Sequence, residues 1–349
     1  MLSLYLHSSG FFSVAVDTLF FHVEPAYFFG RSGRRVKPFY SDKLRLDFRS
    51  LYVRGGVGSI SFRVGRILPP DTGDLLFDAL SVGYDALSLS WAGEGWEYAI
   101  TFAKLNLWTS DGDYYFNPDA ISIVKGQRID RYAVLRTFRY GRFSFSEATV
   151  LSTLSGRFPD VRAFNPLLPG YLYQWFYGRE VNILWEVSYD LGNDVLRLVI
   201  DDFPYLPSWF SIVPPTVGIR LSGEHGPVSY DLIWTSAFTY ANRRPWDALY
   251  EAPYFGGDYL GASVRLSPTS NSLSPLLELG VQGKGRYNGT FKEPEIGEYP
   301  PFALLHSPVR YDGWASVGLR YNGLEVQVGY GGKPNSLNAG RFFLYFSKM

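Results

Sequence analysis

The sequence contains no cysteine. That removes a disulfide scaffold, a thiolate metal site and a thiol nucleophile together. Net charge is lacking too, with 33 Lys and Arg against 33 Asp and Glu in 349 residues. Nucleic-acid-binding chains carry a basic footprint in their composition, so that class is excluded. Long apolar runs are missing, and mean hydropathy is −0.06, so no transmembrane helix is encoded. Helix signals are nearly absent: no long stretch repeats apolar residues at i, i+3, i+4 and i+7 behind a cap. Histidine is scarce, and His7, His22, His225 and His306 have no metal-ligand spacing. No Gly-x-Ser-x-Gly elbow and no phosphate-cradling Gly-Lys-Ser/Thr loop occurs. The expectation is therefore no metal, no cofactor and no enzyme. A hydrolase could draw only on single carboxylates such as Glu147, Asp201 and Asp202. The first residues, Met1 to His7, have neither a basic start nor a small-residue cleavage site, so an export signal is not expected within this sequence.

What is abundant is aromatic: 9 Trp, 26 Tyr and 27 Phe make 18% of the chain, beside 36 Gly and 22 Pro. Period-2 alternation runs throughout. Ile60, Phe62 and Val64 share one face of a strand, and Ser59, Ser61 and Arg63 share the other. The same reading fits Asn182–Asp190, Thr216–Ser222, Tyr259–Ser267, Leu277–Lys284, Ala315–Tyr321, Leu324–Tyr330 and Arg341–Ser347. The predicted fold class is all-β.

The connections alternate in length. Short ones fall around Gly55–Val57, Gly93–Gly95, Tyr140-Gly141, Leu191–Asn193, Gly223–Gly226, Pro268–Asn271, Asn322-Gly323 and Gly332–Leu337. Asn322-Gly323 suits a type I′ hairpin, because both residues tolerate positive φ. Between them lie longer polar or aromatic segments, roughly 22–43, 69–83, 108–130, 154–180, 203–214, 241–257 and 285–312. A soluble sandwich has no reason to lengthen every second connection. A transmembrane up-and-down barrel does, with short turns on one side of the membrane and long loops on the other. Counting strands gives about sixteen, or about eighteen if the first ten residues add pairing. A single barrel domain spanning 1–349 is expected, in a bacterial outer membrane and in contact with its lipid.

If the aliphatic residues face lipid, the opposite face lines a wet lumen. The candidate pore-lining residues are Arg45, Asp47, Arg49, Arg63, Glu186, Arg197, Arg220, Asp231, Arg265, Glu278, Arg320, Glu325 and Arg341. Four acid–base pairs fall on neighbouring strands: Glu186 with Arg197, Arg220 with Asp231, Arg265 with Glu278, and Arg320 with Glu325. Arg320 and Glu325 flank the two-residue turn and should stand directly opposite each other. These charges either tune which solutes pass or simply pair off along a wall. The excess of arginine predicts an anion preference. Aromatic loop residues, among them Tyr114-Tyr115-Phe116 and Tyr171 to Tyr177, suit sugar stacking, an outer girdle or an inward plug.

As a whole the chain resembles a bacterial outer-membrane porin-type barrel. Its centre, from about 131 to 203, resembles the Wzi-type capsule-assembly barrels through Arg142-Phe143-Ser144-Phe145-Ser146-Glu147-Ala148, Phe164-Asn165-Pro166-Leu167 and Leu198-Val199-Ile200-Asp201-Asp202-Phe203. The first resemblance implies a passive channel for small hydrophilic solutes and ions, working as a homo-oligomer, with three copies expected. The second implies a lectin-like barrel that holds surface or capsular polysaccharide, with segments 108–130 and 154–180 closing the pore.

Overall fold

The computed structural model describes residues 2–7, 11–28, 45–68, 76, 84–105, 107–116, 121–157, 159–177, 181–201, 216–240, 249, 256–268, 273–288, 303–321, 324–333, 337–339 and 342–348. For 2–7, 11–15, 25–28, 45–49, 116, 121, 324, 337–339 and 342–348 the backbone alone is described.

Strands dominate, as alternation requires. The first seven are β1 (Leu2–His7), β2 (Phe11–Asp17), β3 (Phe21–Phe28), β4 (Arg45–Val57), β5 (Ile60–Ile67), β6 (Tyr84–Gly93) and β7 (Trp96–Lys104). Three short ones follow: β8 (Trp108–Thr109), β9 (Tyr114–Phe116) and β10 (Ile121–Ile123). Then come β11 (Arg128–Tyr140), β12 (Phe143–Leu154), β13 (Asn182–Asp190), β14 (Asp194–Asp201), β15 (Thr216–His225) and β16 (Val228–Thr235). The last six are β17 (Tyr259–Leu266), β18 (Ser274–Lys284), β19 (Arg310–Tyr321), β20 (Leu324–Gly331), β21 (Leu337–Ala339) and β22 (Phe342–Lys348). One short helix, α1 (Gly170–Tyr177), follows a 3-10 turn at Val161–Phe164. Among the described residues no helix is long and apolar enough to cross a membrane.

Eighteen of these strands form one up-and-down meander, each antiparallel to the next: β1 to β7, β11 to β20, then β22. The short β8 and β21 attach to β11 and β22 and complete a 20-stranded sheet, while β9 and β10 pair separately. The backbones of β1 and β22 run within 8 Å of each other, so the two ends of the sheet meet; among the described residues no hydrogen-bonded register joins them.

The meander has two strands more than the sixteen counted from pattern. One is β1, the pairing that the first ten residues allowed. The other is β3, which lies inside a segment read as a long connection. Its Pro25 cannot donate to a ladder, and the register shifts at Glu24/Pro25 where that donor is missing. Two turns also sit slightly later than expected. The chain reverses at Gly58 and at Gly226, each with φ +60°, because Gly55, Gly56 and Gly223 continue their strands. Asn322-Gly323 lies outside the described residues, although Tyr321 pairs with Leu324 around it.

Register fixes two continuous faces. Ser61, Ser90, Ala99, Thr137, Ser146, Glu186, Val199, Gly218 and Thr235 stand opposite one another in successive ladders and share one face. The adjacent residues share the other, and there large apolar side chains are exposed: Val53, Phe62 and Val64, then Ile219, Leu232 and Val264, then Leu279, Val317 and Val326. On β19 this face reads Tyr311, Gly313, Ala315, Val317, Leu319, Tyr321, every one exposed, while Trp314 and Ser316 between them are buried. Tyr140, Phe143 and Tyr189 are exposed at the short-turn end, in line with Tyr321. Tyr330, opposite Ala315, is exposed toward the loop end, as is Tyr311.

Candidate functional site

The polar face carries a network of buried charge toward its C-terminal half. Arg265 on β17 stands directly opposite Glu278 on β18, and Arg320 on β19 directly opposite Glu325 on β20. Arg265 Nη2 donates to Glu278 Oε2 at 3.0 Å, and its Nη1 reaches Glu325 Oε2 at 3.1 Å. Arg320 donates to Glu325 Oε1 from Nε at 2.9 Å and from Nη2 at 2.7 Å. Two strands separate β17 from β20, so an arginine that touches carboxylates on both requires a tightly curved wall at this point. Glu325 is fully buried and Glu278 nearly so. Such acids stay charged only when cations and donors surround them.

Lys333 completes the network, and it was not a candidate from sequence. Its Nζ donates to Glu278 Oε2 and to Gln327 Oε1, both at 2.7 Å. Trp314 Nε1 donates to Glu278 Oε1 at 3.1 Å, and Ser316 Oγ to Gln327 Oε1 at 2.9 Å. Lys333 lies just past β20, in what reads as a turn, and no periodicity marks it. The Trp314 ring lies where a Cβ on Gly280 would be, 2.1 Å from it, so only glycine fits there.

A second pair sits on β15 and β16. Arg220 grips Asp231 with two bonds, Nε to Oδ1 at 2.7 Å and Nη2 to Oδ2 at 3.1 Å, across a diagonal rather than a direct pairing. The fourth expected pair does not stand face to face. Glu186 is opposite Val199, and Arg197 is opposite Ser188, because the turn at 191–193 sets the ladder one step away. Arg63 stands opposite Arg54 and Ser88, with its guanidinium 5.9 Å from the Tyr52 ring. Arg45, Asp47 and Arg49 belong to β4, but their side chains lie outside the described residues, as does Arg341 entirely.

The polar face also holds Glu24, an acid that sequence reading left out, and Asp201, which alternation also places on it. Glu24 accepts from Ser50 Oγ at 3.1 Å and is buried on β3. Asp201 is buried at the loop end of β14, where Oδ2 accepts the Tyr240 backbone N–H at 2.6 Å. They reduce the arginine excess counted from the sequence.

At its loop end the same face turns apolar. Leu76, Tyr240 and Leu249, from segments between strands, pack with Ala133, Leu135, Val150, Leu184, Val199 and Tyr259. Phe238, Tyr240 and Asp258 all have positive φ (62°, 74° and 52°), a conformation bulky residues adopt only when surroundings impose it. Asp258 does part of the imposing. It is fully buried, and its carboxylate accepts Tyr287 N–H at 3.0 Å and His306 N–H at 3.1 Å. The segments after β16 and β18 are thereby tied together over this end.

Segment 155–177 does not join them, which corrects the expectation that 154–180 closes the pore. It lies against the apolar face of β7, β11, β12 and β13, where Tyr98, Ile100, Arg136, Glu147 and Trp185 stand. Arg136 Nη1 donates to Glu147 Oε1 at 2.8 Å, with both side chains buried. Arg136 Nη2 donates to Ala163 O at 2.9 Å, and Glu147 Oε1 accepts the Gly170 N–H at 2.7 Å. The two motifs Arg142–Ala148 and Phe164–Leu167 thus meet in one lock: Glu147 holds the start of α1, and Tyr98 Oη donates to Pro166 O. Asp202 and Phe203 lie outside the described residues.

No protein-family model matches the chain, and no curated protein matches it. Solved structures do. OccK10 (OpdN) of Pseudomonas aeruginosa aligns over 99% of this chain and 96% of its own, at 10% identity and TM-score 0.42. The outer membrane protein OpdK of Pseudomonas aeruginosa aligns over 97% and 90%, at 10% identity and TM-score 0.41. OccAB4 of Acinetobacter baumannii aligns over 97% and 90%, at 11% identity and TM-score 0.39. At this distance the ground for function is the strand-by-strand geometry.

Proposed function

We propose that this chain is an integral barrel of a bacterial outer membrane, acting as a passive channel for small hydrophilic solutes and ions. One observation carries the reading. On β19 the exposed face is aliphatic between two tyrosines ten residues apart, and the opposite face is mostly polar and less exposed, with Trp314 and Ser316 buried. Ten residues span about 33 Å of strand, which at a tilt near 40° is about 25 Å of height, the thickness of a barrel's apolar band. Water cannot be the solvent of that face, since its aliphatic residues stay exposed strand after strand. The polar face, with Arg220, Arg265, Arg320 and Lys333 among their acids, is then the lumen.

The charge balance supports a channel with little preference between anions and cations, because every one of these cations touches a carboxylate. The apolar cluster at the loop end supports a narrow mouth. Reconstitution in a planar bilayer tests the reading: steady ohmic conductance is expected, with a reversal potential near zero in a salt gradient. Absence of any conductance from folded protein, together with binding of glycan, would favour the polysaccharide-holding alternative.

A further inference from the structure

We infer that segment 155–177 is a strap that makes a charged sector of the outer wall fit for lipid, and that this sector enters the membrane only with the strap docked on it; the inference rests on the membrane reading above. The depth of the charges is the first ground. Arg136 and Glu147 are each four residues from Tyr140 and Phe143, the exposed aromatics at the short-turn end. Four residues are about 13 Å of strand, or about 10 Å of height at a tilt near 40°. The two stand directly opposite each other on the apolar face, in one row with Ile100 and Trp185. A bare arginine and a bare glutamate at that height would face acyl chains, which solvate neither.

Contacts that serve both sides are the second ground. The Arg136 and Glu147 side chains are only 7% and 3% exposed beneath the strap. Arg136 Nη2 donates to Ala163 O at 2.9 Å and to Asn165 O at 3.3 Å, and Glu147 Oε1 accepts the Gly170 N–H at 2.7 Å. Trp185 Nε1 donates to Glu147 Oε2 at 3.2 Å, so both carboxylate oxygens are used. In return the wall serves backbone groups of the strap. The Gly170 N–H, first in α1, has no acceptor within its own helix, and Pro166 O accepts from Tyr98 Oη. Irregular backbone is tolerated at membrane depth only where protein satisfies it. Outward the strap offers lipid what the rest of the wall offers: Leu167 is 86% exposed, Trp175 73%, and Phe176 and Val161 64% each.

Wall and strap are thus each unfit for lipid alone and fit together. Without the strap, β11 and β12 present an arginine and a glutamate; without the wall, the strap presents unserved backbone groups. Docking must therefore precede or accompany entry of this sector. The strap's necessity lies in the pair it covers. Exchange of a buried ion pair for apolar side chains of similar size costs little, whereas an uncovered arginine on a lipid-facing wall costs the barrel heavily. A wall with leucines at both positions would enter lipid with or without the strap in place.

Gly170 gives a way to lift the strap in the full chain. A Cβ there would lie 2.2 Å from Thr149 Oγ1 and 3.1 Å from its Cγ2, so Gly170→Val pushes the start of α1 off the wall. The test refolds the chain from urea into lipid vesicles and reads the inserted fraction by its heat-modifiable gel mobility. Gly170→Val should lower the ratio of inserted to unfolded chain about tenfold or more, the scale set by an arginine exposed on a barrel wall. Arg136→Leu with Glu147→Leu should insert as the unmodified chain does, and the same two substitutions should restore insertion to Gly170→Val. Insertion of Gly170→Val at the unmodified level, failure of the double-leucine variant to insert, or a triple variant no better than Gly170→Val overturns the strap and leaves the membrane reading standing. An unmodified chain that folds in buffer without lipid overturns the membrane reading and this inference with it.

Discussion

Single residues decide whether the lumen network holds. Removing Arg265 leaves Glu278 with Lys333 and Trp314, but strips Glu325 of one of its two arginines. In a salt gradient, Arg220→Ser with Arg265→Ser should move the reversal potential from near zero toward cation preference, because Asp231 and the glutamates lose their counter-charges. An unchanged potential would remove these arginines from any part in permeation. Gly280→Val should displace the Trp314 ring from Glu278 and appear as a red-shifted, weaker tryptophan emission. On the apolar face, Glu147→Ala leaves Arg136 buried without its acid and should cost about 3–5 kcal/mol in a denaturation series. The direct pair Arg320–Glu325 was legible in the sequence, because a two-residue turn fixes which residues face each other. Arg265–Glu278 and Arg220–Asp231 were legible only as pairs of neighbours, and Lys333 and Glu24 were not: burial on a curved wall depends on which segments return to cover it, and alternation does not record that.

Among the elements, segment 155–177 is held by a carboxylate outside the strands. Asp160 caps the 3-10 turn by accepting Arg162 N–H at 3.0 Å and also accepts Tyr173 Oη at 3.0 Å. The Arg162 guanidinium, first of all, holds its carboxyl down to about 2. A folded value below the unfolded one of about 3.9 gives stability that is complete above pH 4 and is lost as pH falls toward 2. Trp175 emission should therefore report loosening of this segment between about pH 4 and pH 2 before the strands melt; Asp160→Asn should abolish that early step, and a step that persists in the variant would assign it elsewhere. This segment shows the limit of sequence reading best. Its eight-residue helix is too short for a 3.6 period to emerge, and its length and aromatics suited a plug as well as a clasp. The lock that places it outside, Arg136–Glu147, looks in sequence like one more cross-strand pair. The reverse holds for β3, where Pro25 disguised a strand as a loop.

For the whole molecule, alternation of side chains and of connection lengths carried the architecture, since both follow from one requirement: every strand must offer one face to each of two solvents. That requirement also says where charge is forbidden. Val326→Arg should cost about 2–4 kcal/mol of stability in lipid if it lies near the midplane, whereas Ser263→Arg, one residue from Val264, should cost little. The claim beneath all of this is that the exposed aliphatic face meets lipid and the face one residue away meets water. Single nitroxide labels at Ile60 and Ser61, and at Val264 and Ser263, test it most directly in reconstituted vesicles. Ile60 and Val264 should be open to oxygen and closed to a nickel chelate, and Ser61 and Ser263 the reverse. If the neighbours in each pair respond alike, the two-solvent wall is wrong.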